Sequence, residues 1–127
     1  MFDETRPIFL QLADALADAI LRGVYEEGDQ VPSTNELAAF HRINPATAGK
    51  GLNELVDRGV LEKRRGLGMF VLPGAKERIG ETRQGAFIDQ YVKPLLREAA
   101  ALGISAQHLH SLIEDQAAQE ADHDERD

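Results

Sequence analysis

Two hydrophobic periods alternate along the chain, and they divide it into elements. In residues 7–22, "PIFLQLADALADAILR", Ile8, Leu12, Ala15, Leu16, Ala19 and Ile20 recur at helical spacing and form one apolar stripe. Pro7 suits a first helical position, and Gly23 is a stop signal. The polar run at 26–30, "EEGDQ", predicts a turn. A short helix over about 34–41 follows, opened by Ser33 with Glu36 three residues on, the capping-box spacing. Its apolar side is Leu37, Ala38 and Phe40. After a tight turn at Arg42-Ile43, Asn44 is a good N-cap and Pro45 a good first residue for a second helix. Ala48, Leu52, Leu55 and Val56 are its buried positions, and Gly59 ends it. Two helices joined by so short a turn predict a helix-turn-helix.

The period then changes. Residues 60–65 and 69–72 read as two strands, with Gly66-Leu67-Gly68 between them. The two glycines allow the positive φ angles that a short hairpin loop needs. From about 75 to 102 the pattern is helical again, through Ile79, Phe87, Ile88, Tyr91, Val92, Leu95, Leu96, Ala99 and Leu102. Pro94 must kink or split this segment. Gly103 breaks it, and Ser105 can cap a last helix over about 106–118, with Leu109, Leu112, Ile113 and Gln116 on one side. The fold class expected is mainly α with a small β-hairpin. Residues 1–73 make a winged helix-turn-helix, 74–118 a C-terminal helical region, and 119–127, "QEADHDERD", a polar acidic tail expected to be disordered. The C-terminal helices are too few to bury their own apolar stripe, so a second copy of the chain is the simplest cover.

Charge sharpens this picture. The chain has 127 residues, 14 Lys+Arg and 22 Asp+Glu, for a net charge of −8. Residues 77–127 hold 5 basic and 11 acidic side chains, so most of the excess lies there. Within 41–65 the balance reverses, with 6 basic residues (Arg42, Lys50, Arg58, Lys63, Arg64, Arg65) against 3 acidic ones. A nucleic-acid binder needs a local basic footprint rather than a basic total. The alternative is a solvated surface on which cations cluster without a partner. Cysteine is absent, which excludes disulfides, thiolate metal sites and cysteine nucleophiles. No apolar run approaches the ~18 residues a membrane span needs, and the start is not a signal peptide. A cytoplasmic protein with no membrane partner is expected. His108 and His110 stand two apart, on different sides of a helix, so no metal site and no cofactor is expected. No nucleophile motif, phosphate-binding loop or acid pair suggests an enzyme.

Residues 7–72 resemble, continuously, the DNA-binding domain of GntR-type bacterial transcription regulators. The most specific stretches are "GDQVPSTNELA" and "INPATAGKGLNELVDRGVLEKRRGLGMFV". The Asn44-Pro45 start and the short C-terminal part, "AFIDQYVKPLLREAAALGIS", resemble the YtrA subfamily. Its members carry a short helical dimerisation region in place of a large effector domain, and often control transporter operons.

The resemblance implies a recognition helix entering the major groove with Asn44, Ala46, Thr47, Lys50 and Asn53 toward DNA. Asn44 could equally serve as a cap alone, and Thr47 and Lys50 as plain exposed helix. Ser33, Thr34 and Asn35 would offer the N-terminus of the preceding helix to a phosphate. Relatives place an arginine where this chain has Asn35, a glycine where it has Arg42, and several an arginine where it has Gly49. Arg42 in a left-handed conformation would cost about 1–2 kcal/mol, which a phosphate contact could offset. Arg64, Arg65 and Gly66 would meet the adjacent minor groove. Gly49 and Gly51 each weaken the helix by roughly 1 kcal/mol, either for a close approach of backbone or as tolerated weakness.

The function expected is therefore a sequence-specific DNA-binding transcription regulator, a repressor. It would bind double-stranded DNA at an inverted-repeat operator as a homodimer through Phe87, Ile88, Tyr91, Val92, Leu95, Leu96, Leu109, Leu112 and Ile113. Two rivals stand beside it. One is a winged-helix protein-interaction adaptor whose acidic half docks a basic partner. The other is a sensor with a small-molecule effector at the dimer interface or hinge.

Overall fold

A computed structural model describes the backbone of residues 2–126 and the side chains of residues 2–123. The chain divides into two units, one ending at Arg83 and one starting at Gln84.

The first unit opens with α1 (Ile8–Leu21), which has Pro7 as its N-cap rather than its first helical residue. Leu12, Ala13, Leu16, Ala17 and Ile20 are buried, so the helix is rotated from the expected stripe. Ala15 is exposed and Ala19 only half-buried. Alanine is small enough to sit on either side of the boundary, so periodicity alone could not choose between Ala13/Ala17 and Ala15/Ala19. Packing against the next-but-one helix chose.

The helix α2 (Thr34–His41) starts as expected. Ser33 Oγ accepts from Glu36 N–H at 3.1 Å, and Glu36 Oε1 accepts from Ser33 N–H at 3.1 Å. Leu37 and Ala38 are buried, but Phe40, expected on the apolar side, is 75% exposed. Its ring meets His41 edge-on at 4.9 Å. The turn does hold Arg42 in the left-handed region, at φ 56° and ψ 48°. Both its N–H and that of Ile43 close on the Ala38 carbonyl, which ends the helix.

The third helix, α3 (Pro45–Asp57), is capped by Asn44, whose Oδ1 accepts from Ala46 N–H at 2.8 Å. It buries Ala48, Gly51, Leu52 and Leu55 against α1 and α2, with Val56 half-buried. Full burial of a leucine of this kind contributes about 1.5–3 kcal/mol.

Strands β1 (Leu61–Arg64) and β2 (Gly68–Val71) form the antiparallel hairpin, with Leu61 opposite Val71 and Arg64 opposite Gly68. The sequence reading placed the segment 28–31 at or beside a turn. The structure lays it along the outer edge of β2. Gly28 N–H donates to the Val71 carbonyl at 2.8 Å, Val71 N–H to the Asp29 carbonyl at 2.9 Å, and Val31 N–H to the Met69 carbonyl at 3.0 Å. A two-stranded hairpin alone is marginal in water. The added edge and the burial of Val31, Val60, Leu61 and Val71 in one core with α1–α3 hold it.

The helix α4 (Ala75–Phe87) buries Ala75 and Ile79 in that same core, which is why the first unit ends at Arg83 and not at the expected 73. Arg78 Nη1 donates to the Gly59 carbonyl at 2.7 Å, and Arg83 pairs with Asp18 at 2.6 Å. The helical segment over 75–102, which Pro94 was expected to kink or split, is three pieces. A π-helical turn at Ile88–Val92 separates α4 from α5 (Lys93–Ala101). Pro94 lacks the N–H that Gln90 would accept from, and its ring would strike that carbonyl. A widened turn just before it relieves both problems.

In the second unit α5 and α6 (Ala106–Arg126) pair through buried Ala99 and Leu109. Ser105 caps α6, its Oγ accepting from His108 N–H at 3.1 Å. Residues 119–127 were expected to be a disordered tail, but α6 continues to Arg126, and Asp127 lies outside the described residues. Alanine, glutamine and glutamate favour helix, and no glycine or proline interrupts "QAAQEADHDER". Among the described residues no helix is long and apolar enough to cross a membrane.

Ion pairs brace α1. Asp14 takes Arg6 at 2.7 Å and Arg58 at 3.0 Å, while Asp18 takes Arg22 at 2.8 Å as well as Arg83. Partial burial works to raise the Asp14 pKa, but hydrogen bonds from Arg6 and Arg58 outweigh it and hold the carboxyl below 3.8. Hydrogen bonds from Arg22 and Arg83 likewise lower Asp18 below 3.8. Both folded pKa values are depressed, so their contribution to stability is complete above the unfolded value. It is lost as pH falls through the folded values. The melting temperature of the first unit is therefore expected to drop on acidification below about pH 4. Asp14→Asn should flatten that slope, and a melt series from neutral to acid pH checks it.

Candidate nucleic-acid interface

On α3 the positions pointing away from the core are Ala46, Lys50, Asn53 and, at the C-terminal end, Asp57, at i, i+4, i+7 and i+11, all exposed. Thr47 is half-buried on one flank of that face, and Gly49 is half-buried on the other. The Gly49 flank opens into a groove of about 450 Å³ between the N-terminus of α2, the side of α3 and the hairpin. Ser33, Thr34 and Asn35 line one wall and Gly49 and Asn53 the floor. Lys63, Arg64 and Gly66 form the far wall. Three parts of the chain that were assigned to DNA contact separately are thus brought to one surface. Arg42, Asn44, Ala46, Thr47, Lys50 and Arg65 lie outside the groove, and all of these but half-buried Thr47 are exposed.

The cations of this face are not equivalent. Arg58, counted with the basic segment, is spent inside the fold, bonded to Asp14 and, at 3.2 Å, to Glu54. The Arg64 guanidinium lies over the Phe70 ring, 4.2 Å from its centroid, and 3.7 Å from Glu62. Stacking of this kind fixes a guanidinium in place while leaving its edge able to donate. The Lys50 ammonium sits 4.9 Å from the centre of the Phe9 ring on α1. Among the described residues Arg42, Lys63 and Arg65 have no ion-pair partner. Asn44 is engaged as a cap, which uses one lone pair of its Oδ1 and leaves its NH₂ able to donate. Ser33 likewise accepts within the capping box and keeps its hydroxyl hydrogen.

Lys63 lines this groove and Gln30 bonds Leu67, another of its lining residues, although neither was in the predicted contact set. Lys63 was visible in the basic run. Gln30 was not, because its significance is a hydrogen bond from its Nε2 to the Leu67 carbonyl, at 2.8 Å across 37 positions of sequence.

A helix-turn-helix with an exposed polar and basic recognition face, flanked by a basic hairpin, defines a winged helix-turn-helix DNA-binding protein. Comparison narrows this class to a family. The sequence pattern of "Bacterial regulatory proteins, gntR family" matches residues 9–71. The HTH-type transcriptional repressor YtrA of Bacillus subtilis (strain 168) is 31% identical over 112 residues, 88% of this chain and 85% of that protein. The crystal structure of a putative GntR-family transcriptional regulator from Bacteroides thetaiotaomicron superposes with a TM-score of 0.75 at 33% identity, covering 89% of this chain and 98% of that one. The DNA-binding domain of AraR, solved in complex with its operator ORX1, superposes with a TM-score of 0.53 at 25% identity, over 56% of this chain and 92% of that one. The chain belongs to the GntR family of bacterial transcription regulators.

Proposed function

We propose that the protein is a repressor that binds an inverted-repeat operator as a homodimer. In this reading α3 lies in the major groove with Ala46, Thr47, Lys50 and Asn53 toward the bases. Ser33, Thr34, Asn35, Arg42 and Asn44 hold the flanking phosphates. Arg64, Arg65 and Gly66 meet the minor groove. The observation that carries the reading is the groove itself, which brings the α2 N-terminus, the α3 flank and two wing cations to one surface. The AraR domain, similar over its DNA-binding part, has an operator bound.

Dimerisation rests on the second unit. A groove of about 540 Å³ there is lined by Leu95, Leu102, Leu109, Leu112 and Ile113 and is almost wholly apolar. Phe87, Ile88, Tyr91 and Leu96 are also exposed, with Phe87 and Tyr91 in ring contact at 5.6 Å. So much apolar surface on one small unit fits a partner face better than water. A second copy brings the same face, and its twofold symmetry gives the operator its inverted repeat. Leu109 was counted with the dimer contacts, but it is only 7% exposed and serves mainly within its own unit. Repression fits occlusion of a promoter by the bound dimer in the cytoplasm.

The test begins with in vitro selection of duplexes from a random library by the purified protein, which should enrich a palindrome. Lys50→Ala and Arg65→Ala should then each lower affinity for the enriched duplex by about three- to tenfold. Each should also reduce the slope of log affinity against log salt by about one. Unchanged affinity and slope in both variants would remove this surface from DNA binding.

A further inference from the structure

The wing tip is tied down from outside the hairpin. Arg65, Gly66 and Leu67 form the tip, and Leu67 N–H donates back to the Arg64 carbonyl at 2.9 Å. The Leu67 carbonyl faces the other way and accepts from Gln30 Nε2 at 2.8 Å. Gly68, at φ 130°, makes room for that side chain. A Cβ there would stand 2.5 Å from Gln30 Nε2. The Gln30 backbone is paired with Phe70, so its side chain runs along β2 toward the tip. The Leu67 side chain is 66% exposed, so little packing holds the tip from the other side.

We propose that Gln30 is a positioning residue for DNA binding: its amide fixes the wing tip so that Arg65 and Gly66 are presented in one attitude. The proposal rests on the reading that the wing enters the minor groove. Gln30 is exposed, and one exposed hydrogen bond adds little to stability. Its consequence lies elsewhere. A short tip held by one strand pair samples many attitudes, and ordering it on contact with DNA costs affinity. An amide that orders it beforehand removes that cost. Gln30 need not touch DNA to act.

Two variants test this in the full-length protein: Gln30→Met, of similar length without a donor, and Gln30→Glu, isosteric but unable to donate when ionised. The probe is the duplex most enriched by the wild-type protein. Both variants are expected to lose about five- to tenfold in affinity. Hydroxyl-radical protection should weaken in the minor-groove segment covered by the wing and persist in the major-groove segment. Melting temperature should stay near wild type. In an Arg65→Ala background the Gln30 substitutions should add little further loss, because both act through the tip. Wild-type affinity in Gln30→Met overturns the proposal, since a loss confined to Gln30→Glu is then repulsion between its charge and DNA. A loss that is undiminished in the Arg65→Ala background, or spread evenly over both grooves, overturns it too. If wild-type protein protects no minor-groove segment, the wing reading itself fails and this proposal falls with it. Unchanged binding in the Gln30 variants alone removes only the positioning role.

Discussion

Ile113→Asp or Leu95→Asp, each made alone, is expected to convert the protein to a monomer and to weaken operator binding by about 100-fold or more. Ile113 is 49% exposed and Leu95 43% exposed within one chain. A carboxylate at either position therefore finds water in the isolated chain and leaves its fold intact. In a dimer the same carboxylate would be buried in the apolar groove, whose lining residues include no cation, a cost of several kcal/mol. Two half-sites read by one linked dimer gain roughly 10²–10⁴ over one site through effective concentration, and a monomer forfeits that gain. Sedimentation equilibrium and operator titration on the same preparations check the two parts separately. A dimer that survives both substitutions with wild-type affinity would place the interface elsewhere.

Gly51 and Gly49 are expected to respond to substitution with opposite signs, and Gly51→Val should give the largest loss of stability. Both glycines lie in α3, where each weakens the helix by about 1 kcal/mol against alanine. A Cβ on Gly49 would meet only Thr34, at 3.8 Å, an ordinary contact. Gly49→Ala should therefore stabilise by about 0.5–1 kcal/mol through propensity alone. A Cβ on Gly51 would stand 2.9 Å from Leu12 Cδ2 and 3.2 Å from the Phe9 carbonyl oxygen. Leu12 is fully buried and has nowhere to turn, and the carbonyl belongs to the backbone of α1. Overpacking of this kind costs about 1–3 kcal/mol for small increments. It should exceed the propensity gain for Gly51→Ala, and Gly51→Val adds two methyls and β-branching at the same point. The expected loss for valine is about 3 kcal/mol, roughly 12–20 °C in a domain of this size. Thermal melts of the three variants check the order. A Gly51→Ala protein as stable as Gly49→Ala would show that α1 moves freely away from α3.

The glycine pair shows where sequence reading stops. Both glycines raised the same question in the sequence, close approach or tolerated weakness. The structure gives close approach at Gly51 and no steric need at Gly49. Periodicity says that residue 51 is inside, but not which atom of α1 will be opposite. The same limit explains the rotated face of α1, because alanine at 13, 15, 17 or 19 is apolar in every register.

Legible directly were the features whose causes lie within a few residues. Ser33 with Glu36 is a capping box, and Asn44 with Pro45 opens α3. Gly66 and Gly68 carry the hairpin loop, and Ser105 starts the last helix. From these the order of elements follows, and with it the winged helix-turn-helix. The proposed contact residues on the α2 N-terminus, α3 and the wing were named from the family resemblance, once these local signals had placed their elements.

The tertiary structure alone decided what depends on distant partners. It tied Arg58 to Asp14, 44 positions away, and so took one cation off the basic face. It carried α4 into the first unit through Ile79 and an Arg83–Asp18 pair spanning 65 positions. It placed Gln30 at the wing tip. Local signals act through backbone angles and nearest turns, and these are written in consecutive residues. A single hydrogen bond or ion pair between remote side chains has no period and no motif. Only the packed chain shows which of several exposed cations and amides are engaged in the fold, and which remain to meet DNA.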